Sequence, residues 1–121
     1  MIELFGKEYG LKMTMGATFK ICDLLDTTNI GDVFKLLEDV GDINTMQTVF
    51  KVAQFMNEGY NKVAMLEDPK AELPSLNDVD FDLVEVPQMT QILVGIMSAA
   101  TGDLQTTVEI EPVEDGKKTA N

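Results

Sequence analysis

The 121-residue chain has 9 lysines against 21 acidic residues, with no arginine, histidine or tryptophan and one cysteine, for a net charge of −12 at pH 7. This balance excludes imidazole catalysis, His-ligated zinc and Arg-based phosphate recognition. It also repels nucleic acid and anionic lipid, and leaves no intrachain disulfide.

An apolar fraction of 45% is ordinary for one globular domain of this size. The start, MIELFGKEYG, lacks the basic-then-apolar order of a signal peptide, and no apolar run reaches spanning length. A cytoplasmic, reducing setting is expected.

In chain order, residues 2–13 predict a β-hairpin turned at Gly6-Lys7, with Leu4 opposite Tyr9 and Ile2 opposite Leu11. That register places Ile2, Leu4, Tyr9, Leu11 and Met13 on one face and Glu3, Glu8 and Lys12 on the other. Thr14 is the expected N-cap of a first helix whose stripe is Met15, Phe19, Cys22 and Leu25, widened by Ile21 and Leu24. On that stripe Cys22 reads as a buried, inert thiol. A short second helix carries Val33, Leu36, Leu37 and Val40, with Gly41 after its end. A third helix beginning after Asp42–Asn44 has Met46, Val49, Phe50, Ala53 and Met56 in line, with Val52 and Phe55 extending the stripe. So broad an apolar surface marks the central helix, which Gly59 is expected to end or kink.

Residues 67–85 form an acidic connection, with Glu67, Asp68, Glu72, Asp78, Asp80, Asp82 and Glu85 against Lys70 alone, a net −6. Asp78, Asp80 and Asp82 alternate as at the start of a calcium loop. The sixth position, which requires Gly, is Leu83, however, and the twelfth, which requires Glu, is Met89. The expectation is therefore an extended segment with Val79, Phe81 and Leu83 facing inward and the aspartates facing water, and no metal. Pro87 begins a last helix whose stripe is Met89, Ile92, Leu93, Ile96, Met97 and Ala100, closed by Gly102. The predicted fold is α+β and mainly α: an N-terminal hairpin packed on three to four helices over residues 1–102. A flexible acidic tail follows over 103–121, in which TTVEI is a candidate strand.

The residues supply no cofactor site, nucleophile motif or phosphate loop. The carboxylate neighbours Glu38 and Asp39 point in different directions on a helix.

GKEYGLKMTMGATFKICDLL, followed by a central apolar helix, an acidic segment containing EDP and a closing VPQMTQILVGIMSAATGD, resembles the small tail assembly chaperones of long-tailed bacteriophages and prophages. The likeness spans about residues 2–102 as an order of elements. It implies a non-enzymatic protein, without catalytic residues, made in the host. Such a protein binds the tape-measure protein, keeps it soluble while tail-tube protein polymerises around it, and is left out of the mature virion. Contact candidates are Leu4, Tyr9 and Leu11 of the hairpin and Met89, Leu93, Ile96 and Met97 of the last helix; a homo-oligomer is left open.

The family also often makes a longer product by ribosomal frameshifting, and Lys117-Lys118 is a hypothetical slippery site for one. Lys pairs are common in polar tails, and a gene without an A-rich heptamer there would remove the idea. The rival reading is an acidic nucleic-acid mimic that blocks a DNA-binding or defence protein.

Overall fold

The computed structural model describes residues 1–38 and 42–110, the side chains of 102–110 excepted. Its order is β1 (Ile2–Leu4), β2 (Lys7–Tyr9), α1 (Met15–Leu24), α2 (Gly31–Glu38), α3 (Ile43–Glu67), 3-10 turns at Leu76–Asp78 and Phe81–Leu83, and α4 (Val86–Ile110). The fold is mainly helical with an N-terminal two-stranded antiparallel hairpin, as the sequence predicts.

The hairpin turns one residue earlier than expected. Phe5 and Gly6 both have positive φ, 53° and 78°, the signature of a type I′ turn. Pairing is therefore Ile2 with Tyr9, Glu3 with Glu8 and Leu4 with Lys7. The register differs from the predicted one by two residues. Because side chains alternate with period two, the slip leaves Ile2, Leu4 and Tyr9 together on the buried face.

Thr14 caps α1 by accepting from the Ala17 amide at 3.1 Å. At the other end Asp26, at φ 56°, closes a Schellman motif in which the Thr27 amide donates to Cys22 O and the Asp26 amide to Asp23 O. The helix is rotated from the predicted stripe. Ala17 and Ile21 are buried, whereas Met15 and Phe19 are 67% and 69% exposed and Cys22 is half-buried. The cause is a close approach: a Cβ on Gly59 would lie 2.7 Å from Thr14 Oγ1, so α1 meets α3 through its small residues. That approach also explains why Gly59 neither ends nor interrupts α3. In α2, Val33 and Leu37 are buried; Val40 and Gly41 lie outside the described residues.

Asp42 caps α3, and Val49, Phe50, Val52, Ala53 and Met56 are all buried, so α3 is the central helix. The connection that follows runs back along it. Asn61 donates to Pro74 O, Asn57 and Gln54 hold Leu76, and the Phe50 and Phe81 rings meet at 5.3 Å. The segment is not an extended one: Leu83 is 65% exposed and Leu76 fully buried. Two 3-10 turns, capped by Ser75 and Asp80, change the period from two to three. Leu76 with Val79 and Phe81 with Val84 therefore face the core.

The connection delivers α4 alongside the N-terminal half of α3. Gln88 Oε1 accepts from the Glu85 amide at 2.8 Å, one half of a capping box. Met89, Ile92 and Ile96 are buried. The helix passes through Gly102 to Ile110, so TTVEI is helical rather than a strand. A lone glycine costs a helix about 1 kcal/mol but does not terminate it. Residues 111–121, including Lys117-Lys118, lie outside the described residues.

Candidate functional site

The seven contact candidates divide according to what the fold has done with them. Leu4, Tyr9, Met89 and Ile96 are buried in the chain's own core, where α4 packs against both α3 and β1. Leu11 and Leu93 are half-buried, and Met97 is 48% exposed. The exposed side of α4 is the opposite one, and of the seven candidates only Met97 is exposed there.

Gly95 sets the geometry. A Cβ there would stand 2.5 Å from Ile2 Cγ2 and 3.2 Å from Leu11 Cδ1, so the hairpin rests against bare helix backbone. Beside this contact runs an open groove of about 530 Å³, floored by Ile2, Leu11 and Gly95 and walled by Thr90, Val94 and Ser98. Thr90 also borders a smaller apolar dimple of about 160 Å³ formed by Met46 and Val49 of α3 with Met89 and Leu93 of α4. Val86 and Val94 are well exposed along the same helix. Spacings of three and four residues put Val86, Thr90, Val94 and Met97 on one outward stripe.

The electrostatics of this face differ from those of the rest of the surface. No charged residue occurs between Glu85 and Asp103, in a chain that is 25% charged. Among the described residues Glu3 is the only charged side chain lining the groove. That gap in charge was the signal in the sequence for this surface, and stripe analysis passes over it because it scores apolar positions alone.

Elsewhere several polar groups have internal partners. Lys20 bonds Glu58 at 3.0 Å, and that hydrogen bond, more than any other contact, holds the Glu58 carboxyl below its ordinary value; burial opposes it, and Asn77 and Lys62 assist. Burial, with the Asp78 charge second, raises the Tyr9 phenol. Asp80, central in the alternating aspartates, accepts from the Asp82 amide at 3.0 Å. Among the described residues no three carboxylates or thiols gather closely enough to hold a metal ion, and no helix is long and apolar enough to cross a membrane.

Comparison with protein-family models, with curated proteins and with solved structures returned no match.

Proposed function

We propose that this chain is a non-enzymatic tail assembly chaperone of a long-tailed phage or prophage. In this reading it acts in the host cytoplasm, binds the tape-measure protein and assists tail-tube polymerisation without entering the mature virion. The single observation that supports the reading is the outward face of α4, an uncharged, partly apolar helical surface on a protein of net charge −12. An exposed apolar strip of this kind suits transient cover for another protein's apolar helix. The acidic remainder keeps the pair soluble. The order of elements shared with the chaperone family agrees with it.

The test is coexpression of the tagged chain with the tape-measure and tail-tube proteins from the same phage genome. The expected outcome is soluble tape-measure protein that coelutes with the tag, and particles that lack the chain. Tape-measure protein that stays insoluble and unbound would overturn the reading. The rival, a nucleic-acid mimic, is favoured by the exposed row Asp78, Asp80 and Asp82. It would be revealed by salt-sensitive capture of a DNA-binding protein that competes with DNA.

A further inference from the structure

We propose that the groove between the hairpin and the outer face of α4 is built for one kind of occupant: an amphipathic helix of another protein whose apolar stripe is bordered by Lys or Arg. The proposal rests on the chaperone reading and states the chemistry of the segment that the chaperone would hold.

Three observations set the occupant's form. The uncharged run from Val86 to Gly102 spans about 25 Å of helix at 1.5 Å per residue, which matches an apolar stripe of four to five turns. Val94 and Met97 stand out along that run, one turn apart. The dimple between Met46, Met89 and Leu93 borders the groove at Thr90, on the α3 side of the helix, and its roughly 160 Å³ has room for a single anchoring side chain. Two of its walls are methionines, whose unbranched thioethers adapt to anchors of different shape.

Charge decides between a foreign helix and a second copy of this chain. Glu3 and the Met1 α-ammonium line the groove together and offset each other, the exposed Asp82 and Glu85 stand at the start of α4, and none of the described lysines lines the groove or the dimple. Two copies of this chain each carry a net charge of −12, and like-charge repulsion disfavours their pairing. A helix with Lys or Arg beside its apolar stripe meets those carboxylates with opposite charge. Met15 and Phe19 on α1, another exposed apolar pair, lie beside both Lys20 and Asp23, so they lack this selectivity.

The experiment is fluorescence anisotropy of synthetic helical peptides against the full chain. One 18-residue peptide carries Leu at i, i+4, i+7 and i+11 with flanking Lys; a twin has Glu for Lys; a third has the same composition in scrambled order. The Lys peptide is expected to bind, and the Glu and scrambled peptides to bind at least about tenfold more weakly. The double variant Val94→Gln, Met97→Gln should lose about tenfold, and Glu3→Gln a few-fold together with part of the salt dependence. Met15→Gln should change nothing. These positions are exposed, so circular dichroism and melting should match the parent chain.

Equal binding of the Glu peptide, absence of all binding, or an unchanged Val94→Gln, Met97→Gln variant would overturn the proposal. So would a dimer of the free chain that the same double variant dissolves. Failure of the underlying reading looks different: the Lys peptide binds at Val94 and Met97, yet tape-measure protein is not held. If the double variant still solubilises tape-measure protein, the chaperone reading stands and this surface falls.

Discussion

The two long helices, α3 and α4, are each 25 residues, but the fold uses them differently. α3 is enclosed: α1, α2, the 3-10 connection and α4 all pack on it, and its buried set extends to Asn57 and Gly59. α4 buries one side on α3 and β1 and leaves Val86, Val94 and Met97 in solvent. The contrast separates two meanings of an apolar helix. On α3 the apolar residues are needed by the chain itself, and polar groups appear where backbone must be held. On α4 the exposed ones have no partner among the described residues, so substitutions there should leave stability alone.

The largest effect should follow from breaking the α3 side at Asn57. Its Nδ2 donates to Gly10 O and its Oδ1 accepts from the Leu76 amide, both at 2.9 Å and fully buried. Asn57→Leu keeps the number of side-chain heavy atoms and their branching but strands one carbonyl and one amide, at a cost of about 2–5 kcal/mol. Urea unfolding should show the midpoint falling accordingly. A loss below about 0.5 kcal/mol would mean that water replaces the side chain, and that the enclosed view of α3 is wrong.

A smaller effect is expected where the two regions meet. Gly95→Ala forces the buried Ile2 side chain, and β1 with it, away from α4. Overpacking of this kind costs about 1–3 kcal/mol, partly offset by the roughly 1 kcal/mol that alanine gains over glycine in a helix. The net expectation is a loss of about 1 kcal/mol, with faster amide exchange confined to the hairpin. A stabilised variant would show that the hairpin has slack on α4.

What the sequence made legible follows from how each residue's role is encoded. The central place of α3 was readable because its apolar residues surround more than one side of the helix. The hairpin's buried face was readable despite the wrong turn, since a two-residue slip preserves alternation. The orientation of α1 was not, because apolar residues occupy both of its sides and the choice was made by Thr14 meeting Gly59, a contact between residues 45 positions apart. The connection misled for another reason: alternating Asp and apolar residues suggest a strand, yet Ser75 and Asp80 are also turn caps. Gln54, Asn57 and Asn61 recur at helical spacing and hold Leu76 and Pro74, an amide stripe visible in the sequence that an apolar count ignores. The site was half legible. The last helix does carry an exposed apolar face, but four of the seven candidate residues face the core.

The smallest predicted effect sharpens the comparison through pH. Glu58 of α3 is held below its ordinary pKa first by its hydrogen bond from Lys20, so it binds its proton less readily in the folded state than in the unfolded chain. A lowered carboxyl contributes stability that is present above its unfolded pKa and is lost as pH falls through the folded one. Removing the cause with Lys20→Met should therefore cost about 0.2–1 kcal/mol near neutral pH, as solvent-exposed pairs do. The two chains should converge in urea midpoint between about pH 5 and about pH 3. Binding of a neutral apolar probe at Val94 should be unaffected by Lys20→Met, because neither Lys20 nor Glu58 lines the groove. A Lys20→Met penalty that persists at low pH would assign the effect to packing of the Lys20 stem, which lies 5.9 Å from the Phe55 ring at its ammonium, rather than to the ion pair.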